Sequence, residues 1–460
     1  MPALRTLSII EINGIGFSDQ QCDKLTKIMK KKLNYLEKQC YKLAKRPFSL
    51  SSPDDVGRVL FLELSLPYNG TSAISEALAA RSTRGKHSKH FRTSKDVLEK
   101  LVPFHRLPKL ILEWRLINST LTKTVYPVQR MKVKRVELRM FRVYSESQFH
   151  TCTGRVTFSE PNIQNVPKEF DVKTSQLTED TWRNLDLNGK SPPGVIKKVS
   201  MRSTFIPYEG AVYISADYSQ LELRIMAHLS GDSKLIETIN RSKDIFKDIA
   251  AGVHKIAVDD VTTCQRQQAK QICYGILYGI GVKSLAEQMS TTEEEATSFV
   301  DTFKRKYRGV NLFIQKTMAD CRKSGFVVTL AGRKRFLPAI NSTDSHARSQ
   351  AERQSVNTAV QGSAADLVKR AMHRIYAALY SKYKVCCLKR NSAEERITPP
   401  PRGAFLVLQI HDELLYEVNK KDVDAVVRII RDGMENAYKL LVKSPVKIHT
   451  GDSWGHLTDV

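Results

Sequence analysis

The segment that most constrains the fold of this chain is residues 211–224, AVYISADYSQLELR. Its first part, residues 212–216, is apolar and rich in β-branched and aromatic residues, a pattern that predicts a buried strand. Asp217 follows directly, and beyond residue 221 the apolar residues recur at helical spacing. An acid between a buried strand and a helix is well placed to bind a metal ion at the edge of a site. A helix N-cap is the alternative role for Asp217, and this segment alone does not decide between the two.

A second acid occupies a similar position near the C-terminus. Residues 405–410 and 414–418 predict two strands, and the tripeptide HDE between them forms the tip of a hairpin. Asp412 is the middle residue of that tip. Two acids at the edges of neighbouring strands can hold two divalent ions about 4 Å apart, the arrangement used for in-line phosphoryl displacement.

The charge of the chain points to a polyanionic partner. The 460 residues carry a formal net charge of +25, because 73 Lys and Arg outnumber 48 Asp and Glu. Nucleic acid is the first candidate and an anionic membrane surface the second. No apolar run approaches the roughly 20 residues of a spanning helix, and no signal-peptide pattern is present. The eight cysteines show no C-x-x-C spacing, which predicts free thiols in a reducing compartment.

A helix predicted over residues 266–279 carries two cations, Arg266 and Lys270, followed by Tyr274 and Tyr278. These four side chains are spaced by four residues and share one broad face of the helix. Two cations and two aromatic rings along one face suit the binding of a triphosphate and stacking on a base. A surface helix whose tyrosines pack into the core is the alternative.

A longer helix is predicted from Ser345 to about Tyr380, and polar side chains recur on it at Arg353, Asn357 and Gln361. Such side chains can donate to the minor-groove acceptors that every correct base pair shares. That contact would test the geometry of a base pair without identifying its sequence. A solvated polar face is the alternative explanation of the same spacing.

The other segments are less specific. Residues 10–46 predict a long basic helix, whose lysines are either simply solvated or follow phosphates. Polar segments at 70–92, 171–199 and 384–403 predict loops. The sequence does not decide whether the basic loop 70–92 contacts nucleic acid or is a disordered insertion. A last helix is predicted from residue 422 to about 441.

Five motifs resemble those of the family A DNA polymerases, relatives of bacterial DNA polymerase I. They are TGR-x5-PNIQNVP at 153–167, DYSQLE at 217–222, R-x3-K-x3-YG-x2-YG at 266–279, R-x3-N-x3-QG at 353–362 and QIHDE at 409–413. Any one of them could arise by chance, but five in the family's order are very specific. Within the family, the sequences of residues 160–167, 266–275 and 411–418 are most similar to those of an animal repair polymerase.

The resemblance implies an α/β (α+β) fold, the right-hand polymerase architecture with a palm sheet, helical fingers and a helical thumb. The expected parts are a thumb and N-terminal part at 1–141 with loop 70–92, a first palm part at 142–231 with loop 171–199, fingers at 232–335 and a second palm part at 336–460 with loop 384–403.

The resemblance also implies roles for single residues. Two Mg²⁺ ions, for which Mn²⁺ is the expected substitute, would bind the carboxylates of Asp217 and Asp412 and the carbonyl of Tyr218. Glu413 would support these ligands without binding metal itself. The deoxynucleotide would contact Gln220, Leu221, Glu222, Arg266, Lys270, Tyr274 and Tyr278, with Lys270 also donating a proton to the departing pyrophosphate and Glu222 blocking a ribose 2′-hydroxyl. Primer–template DNA would contact Arg155, Asn162, Gln164, Asn165, Arg353, Asn357, Gln361 and His411.

The function implied is template-directed DNA synthesis from dNTPs, without proofreading, in the nucleus. The expected roles are microhomology-mediated end joining of double-strand breaks and translesion synthesis, with primer–template DNA and single-stranded 3′ overhangs as partners. A helicase-like domain is expected in the full-length protein, and no membrane partner is expected. The alternatives are a second type of family A repair polymerase, a non-catalytic module that bridges DNA ends, and a two-metal nuclease, against which the cations of residues 266–270 argue.

Overall fold

The computed structural model describes residues 2–67, 91–173, 196–289, 291–385, 387–388 and 402–460. Most of the three predicted loops lies outside these residues. At the ends of the second loop, however, the prediction was wrong. Residues 169–173 and 196–200 form two antiparallel strands, in which Phe170 lies opposite Val199.

The N-terminal part is mainly helical. Its elements are α1 (Pro2–Asn13), β1 (Ile15–Phe17), α2 (Asp19–Ala44), α3 (Pro53–Gly57), α4 (Lys95–Leu101), α5 (Arg106–Thr120), α6 (Tyr126–Met131), β2 (Lys132–Arg135) and β3 (Met140–Val143). Two π-helical segments, Arg58–Glu63 and Leu121–Val125, continue α3 and α5. The three strands form an antiparallel sheet in the order β1-β3-β2.

The single helix predicted over residues 10–46 was wrong, since the chain breaks between α1 and α2. Gly14 has a φ of +58°, and a Cβ at this position would lie 2.7 Å from the carbonyl oxygen of Val143. Only glycine fits such a close approach in that conformation. Ser18 then starts α2, since its side chain accepts a hydrogen bond from the Gln21 amide.

Short strands lead to the long strand predicted at residues 212–216. They are β4 (Glu146–Gln148), β5 (Thr157–Ser159), β6 (Glu169–Lys173), β7 (Ile196–Ser200) and β8 (Ala211–Tyr218). Short 3₁₀ turns cover Ile163–Asn165 and Met201–Thr204. The prediction of a buried strand is confirmed by β8, in which Tyr213, Ile214 and Ala216 are fully buried.

A helical section follows β8, as predicted. It contains α7 (Leu221–Ser230), α8 (Ser233–Arg241), α9 (Ile245–His254), α10 (Thr263–Tyr278), α11 (Val282–Met289), α12 (Glu293–Lys306) and α13 (Arg308–Ser324), and it ends in the hairpin β9 (Phe326–Val328) and β10 (Lys334–Phe336). Helix α10 starts with a capping box, in which Thr262 and Gln265 each bond the other's backbone amide. It ends at Gly279, whose φ of +63° stops the helix.

The predicted long helix is confirmed, with one irregular turn. It consists of α14 (Ser345–Asn357), a π-helical turn (Thr358–Gly362) and α15 (Ser363–Tyr383).

The C-terminal part completes the central sheet. Its elements are β11 (Ala404–Ile410), β12 (Glu413–Asn419), α16 (Val423–Glu435), β13 (Val446–Ser453) and β14 (His456–Asp459). The helix predicted over 422–441 thus ends earlier, at Glu435. The sheet is antiparallel with the order β11-β12-β8-β13-β14, so β8 lies in its middle. Helices α1 and α16 pack against this sheet and bury its apolar residues, and α15 packs against both of these helices.

Candidate active site

The sheet brings the two predicted acids to the same edge. Asp217 is the seventh residue of β8 and pairs across the strands with Glu413, the first residue of β12. Asp412 occupies the turn just before Glu413, and its carbonyl oxygen accepts a hydrogen bond from the Tyr218 amide at 3.4 Å. Segments separated by almost 200 positions therefore meet where the sequence predicts a metal site.

Both acids hold their protons more tightly than a free aspartate does. Burial, followed by the charges of Glu222 and Asp217, raises the pKa of Asp412 to about 7, although Arg155 acts in the opposite direction. Burial, followed by the charge of Glu413, raises the pKa of Asp217 to about 6. The Asp217 side chain reaches solvent at the surface of the site, but the surrounding protein still excludes much of the water. The edge of the sheet thus concentrates negative charge that no neighbouring cation offsets fully.

Glu222 connects the acids to helix α10. It lies in the first turn of α7 and is only 5% exposed. One carboxylate oxygen pairs with Arg155, and the other accepts a 2.6 Å hydrogen bond from the Tyr278 hydroxyl. Three separate segments, those of residues 155, 222 and 278, therefore meet at one carboxylate.

The two residues just before Glu222 differ in structure: Gln220 forms a backbone turn and Leu221 is buried. Gln220 adopts a left-handed conformation with φ +50°, which turns the chain sharply from β8 into α7. The Leu221 side chain is fully buried in the core. Any contact of Leu221 with a nucleotide would therefore have to come from its backbone.

The predicted face of α10 is directed toward these acids. The rings of Tyr274 and Tyr278 stack with centroids 5.9 Å apart. Burial, followed by the charges of Glu222 and Asp412, raises the pKa of Tyr274 to about 12. Lys270 forms no ion pair with any described residue, whereas Arg266 pairs with Asp244 at 2.6 Å. The alternative of tyrosines packed only in the core is not supported, since both rings are half-buried beside the acids.

The polar face of α14 and the π-turn lies next to α10. The Arg353 side chain packs against the end of α10, where a Cβ at Gly279 would be 2.7 Å from its Cγ. The side chain of Gln361 lies close to the Tyr278 hydroxyl. The side-chain oxygen of Asn357 is buried and has no hydrogen-bond partner among the described residues. A buried acceptor without a partner is unusual in a purely structural position.

The side chains at 162–165 that are predicted to contact DNA differ in whether they also form hydrogen bonds within the protein. The Gln164 amide donates to the carbonyls of Gln409 at 2.8 Å and Val156 at 3.1 Å. Asn162 accepts from the Asn165 amide and so caps a 3₁₀ turn. Asn165 itself is exposed. The structure thus gives two of these side chains a role in the fold, and their contact with DNA stays a prediction.

His411 lies in the hairpin turn beside Asp412, with its side chain exposed and a φ of +50°. Partial burial, followed by the charge of Arg155, lowers the pKa of His411. The imidazole is therefore neutral near pH 7 and can act as a hydrogen-bond donor or acceptor.

Sequence reasoning missed Arg333, which joins two of the motifs. Its guanidinium donates to the Asp366 carboxylate at 3.0 Å, to the Thr153 carbonyl at 2.7 Å and to the Gly362 carbonyl at 3.2 Å. It thereby links the segment that carries Arg155 to the π-turn. The basic residues at 332–336 were visible in the sequence, but the partners of Arg333 are too distant along the chain to be found from local spacing.

Comparison with known proteins identifies the family. The sequence model of DNA polymerase family A matches residues 19–456. The chain belongs to this family. Among curated relatives of the family A chain, DNA polymerase theta of Mus musculus is 44% identical over the whole chain and that of Drosophila melanogaster is 33% identical. DNA polymerase I of Geobacillus stearothermophilus is 32% identical over 98% of it.

A solved structure agrees with this assignment. The POL domain of Pol1 from M. smegmatis, in complex with DNA primer-template and dNTP, is 28% identical and superposes with a TM-score of 0.79 over 99% of this chain and 70% of its own. The predicted right-hand polymerase fold and the likeness to animal polymerase theta are therefore confirmed, and the homologous domains of the family are DNA-directed DNA polymerases. The chain spans only 20% of the length of the theta relatives and 45% of the bacterial one.

Family A polymerases use divalent metal ions. Among the described residues, no three His, Cys, Asp or Glu side chains cluster closely enough to hold a metal by themselves. The raised pKa values of Asp217 and Asp412 nevertheless fit such an ion, because a divalent cation would offset their mutual repulsion. An all-oxygen site with few protein ligands suits Mg²⁺, which keeps waters and binds substrate phosphates. In the described part of the chain no helix is long and apolar enough to cross a membrane.

The raised pKa of Asp412 predicts how the metal-free protein responds to pH. Between about pH 4 and pH 7 the native carboxyl retains a proton that the unfolded chain loses, so the native state loses stability as pH rises. The loss should be on the order of 2 kcal/mol, less than the full shift implies because the carboxylate is partly exposed. Thermal unfolding in EDTA at pH 5 and pH 8 measures it. Asp412→Asn should remove most of this dependence of stability on pH. An equal loss of stability between the two pH values in both proteins would show that Asp412 is not its cause.

Proposed function

We propose that this chain is a template-directed DNA polymerase that adds deoxynucleotides to a primer 3′ end. The observation that carries the proposal is the meeting of Asp217, Asp412 and Glu222 beside the face of α10 that bears Lys270, a cation with no ion-pair partner among the described residues. A nuclease would need the acids but has no use for a cationic and aromatic face across from them. A DNA-bridging module would need neither.

The carboxylates of Asp217 and Asp412 and the carbonyl of Tyr218 would hold Mg²⁺. When bound, the two ions would lower the pKa of the primer 3′-hydroxyl and neutralise the leaving pyrophosphate. Glu413 is held by a 2.6 Å hydrogen bond from the Ser215 hydroxyl, which fits a supporting role rather than a ligand. Lys270 would bind the triphosphate as a point charge and donate a proton to the pyrophosphate.

The other side chains would bind and align the substrates. Tyr274 and Tyr278 would stack at the nascent base pair, and Gln220 and Leu221 would contact the nucleotide close to the sugar. Arg155, Arg353, Asn357, Gln361 and His411 would contact the primer terminus and the minor groove, with Asn162, Gln164 and Asn165 nearby. The Asn357 oxygen, which has no hydrogen-bond partner in the described part of the chain, supports such a polar contact. The exposed lysines of α2 would follow the DNA backbone.

The expected division into thumb, palm and fingers belongs to the same proposal. The helices from α8 to α13 would form most of the fingers at 232–335, and the five-stranded sheet would form the palm from its two parts at 142–231 and 336–460. The helices of the first 141 residues would include the thumb. The distance in sequence between β8 and its neighbour β12 supports this division, because a helical section separates these two paired strands of one sheet.

Glu222 should exclude ribonucleotides, since its fixed carboxylate would occupy the space of a 2′-hydroxyl. Replacing it by Ala should reduce discrimination against ribonucleotides by roughly 100-fold. Tyr278→Phe removes the hydroxyl that holds Glu222, so discrimination should fall by about tenfold, the value of one hydrogen bond to a charged group. The ratio of kcat/KM for dNTP and rNTP measures both effects.

Tyr274→Phe is the matched control for that prediction. It deletes a hydroxyl from the same helix face, but the structure gives this hydroxyl no bond to Glu222. Its discrimination ratio should stay within twofold of the unmodified protein. Equal losses for both tyrosine variants would show that the helix, rather than the Glu222 bond, sets the ratio.

The finer role proposed is end joining through short homologies and translesion synthesis, in the nucleus. The identity to DNA polymerase theta of two animals supports it, and so does the excess of Lys and Arg. Since the chain spans 20% of those proteins, a helicase-like domain would belong to the remainder. A polymerase of the polymerase nu type is the alternative within the family. The lack of proofreading stays a prediction, which degradation of a mismatched primer without dNTPs would test.

Primer extension with two substrates tests the proposal. One substrate is a recessed primer–template, and the other is a pair of 3′ overhangs that share a few complementary bases. Extension of both, lost in Asp412→Ala, is the expected result. Extension of the recessed primer alone would leave a family A polymerase and remove the end-joining role. No extension of either, with DNA binding intact, would favour the bridging module.

A further inference from the structure

Asp244 uses its two carboxylate oxygens for different purposes. It is the N-cap of α9, and its Oδ1 accepts from the amides of Phe246 at 3.2 Å and Lys247 at 3.3 Å. Its Oδ2 accepts a 2.6 Å hydrogen bond from Nε of Arg266, which lies in the first turns of α10. The same side chain therefore starts one helix and fixes a cation on the next.

This contact restricts the orientation of the Arg266 guanidinium. Because Nε is bound to Asp244, the donors that remain for an anion are the two terminal Nη groups, which have no hydrogen-bond partner among the described residues. The guanidinium carbon also lies 5.8 Å from the centre of the Phe246 ring. That ring in turn contacts Tyr274, with centroids 6.1 Å apart. Arg266 is thus held from two sides, on the helix face that bears Lys270.

The exposure of the pair argues against a role in stability. The side chains of Arg266 and Asp244 are 35% and 34% exposed, and ion pairs this open to water contribute little to folding. Arginine carries a large rotamer entropy, however, and fixing it before a ligand arrives improves binding. The structure therefore favours a contribution to ligand binding over one to the fold.

We propose that Asp244 is a positioning residue for the incoming nucleotide, which orients Arg266 so that both Nη groups face the triphosphate. The inference rests on the proposed function, since it takes the face of α10 as the triphosphate site. A competing role is possible on charge alone, because a carboxylate this close could repel the triphosphate or occupy its arginine. The two roles predict opposite results when the charge of Asp244 is removed. The positioning role predicts weaker binding of dNTP, and the competing role predicts tighter binding.

Asp244→Asn separates the cap from the ion pair. An asparagine oxygen still caps α9, but its NH₂ group would meet the Nε–H of Arg266 donor to donor. We expect the KM for dNTP to rise roughly tenfold, with kcat and DNA affinity changed by less than about twofold. The Tm should stay near that of the unmodified protein. Asp244→Ala, which loses the cap as well, should show the same rise in KM together with a lower Tm.

A double-mutant cycle and a binding measurement complete the test. Combined with Arg266→Ala, the Asn substitution should cause no further rise in KM, since the residue it orients is absent. The Kd of dNTP for the complex with a dideoxy-terminated primer should rise by the same factor without any catalysis. An unchanged or lower KM, or additive effects in the cycle, would overturn the positioning role. If the unmodified protein extends no primer, the proposed function fails, whereas the ratio of dNTP affinities still tests Asp244.

Discussion

Asp412→Asn is expected to reduce primer extension by roughly 1,000-fold or more. A carboxylate that binds metal supplies several kcal/mol of transition-state stabilisation, and about 4 kcal/mol corresponds to this factor. Asparagine retains the size of the side chain and removes only its charge. Because the charge is unfavourable in the metal-free protein, the fold should not weaken. Single-turnover extension at saturating dNTP measures the loss, and a normal Tm in EDTA shows that folding is intact.

Glu413→Gln is the matched control for that result. Glu413 directly follows Asp412 in sequence, pairs with Asp217 across the strands and is bonded by the Ser215 hydroxyl. If it only supports the ligands, its neutral analogue should lose about tenfold in rate. Losses of equal size in the two variants would make Glu413 a ligand as well. Retention of extension by Asp412→Asn would remove the two-metal assignment.

Arg142→Met is expected to cost about 3–5 kcal/mol of stability, since it leaves the buried charge of Glu417 without a counter-ion among the described residues and with only the Tyr208 amide bonded to it. Both side chains are fully buried, and two N–H groups of Arg142 bond Glu417 at 2.7 and 3.1 Å. Arg142 also donates to the backbone carbonyls of Asn13 and Gly14. It thereby fastens the N-terminal segment to the central sheet. The urea midpoint of unfolding measures the effect, and soluble expression gives a second reading.

The double variant Arg142→Met/Glu417→Leu tests the cause of that loss. It removes the unpaired charge and should recover much of the stability, because an apolar pair of similar volume fills the same space. Lys198→Met is the surface comparison: its pair with Glu169 is more than half exposed, and the midpoint should not change. A double variant no better than Arg142→Met would show that the backbone bonds to Asn13 and Gly14 matter most.

The elements that the sequence predicted well are those with strong local patterns. The apolar run before Asp217 and the paired runs around Asp412 specify buried strands whatever their partners are. Helix α10 is bounded by its own capping box and by Gly279. The expectations that were wrong, the continuous helix over 10–46 and the loop ends at 171–199, depend on contacts with distant residues. Gly14 breaks a helix because Val143 lies against it. The spacing of apolar residues around Gly14 does not reveal this contact.

The candidate site was predictable to a similar degree. Family motifs indicated which residues would meet, and the structure brings Asp217, Asp412, Glu222 and Tyr278 together. Their roles with metal, nucleotide and DNA remain predictions. The partners of these residues were not predictable: Asp244 for Arg266 and Asp366 for Arg333 lie 22 and 33 positions away in the sequence. Side chains that pair across such distances leave no signal in a single sequence.

The central place of β8 has a consequence for synthesis of the protein in the cell. Both neighbours of this strand, β12 and β13, lie in the last 50 residues of the described chain. A ribosome-bound chain that ends before residue 413 therefore presents the hydrogen-bonding groups of an apolar strand on both sides, a form that pairs readily with other chains. Pausing of the ribosome before β12 and β13 are made would lengthen that exposure. Chaperone demand should thus be highest between the synthesis of β8 and that of β12.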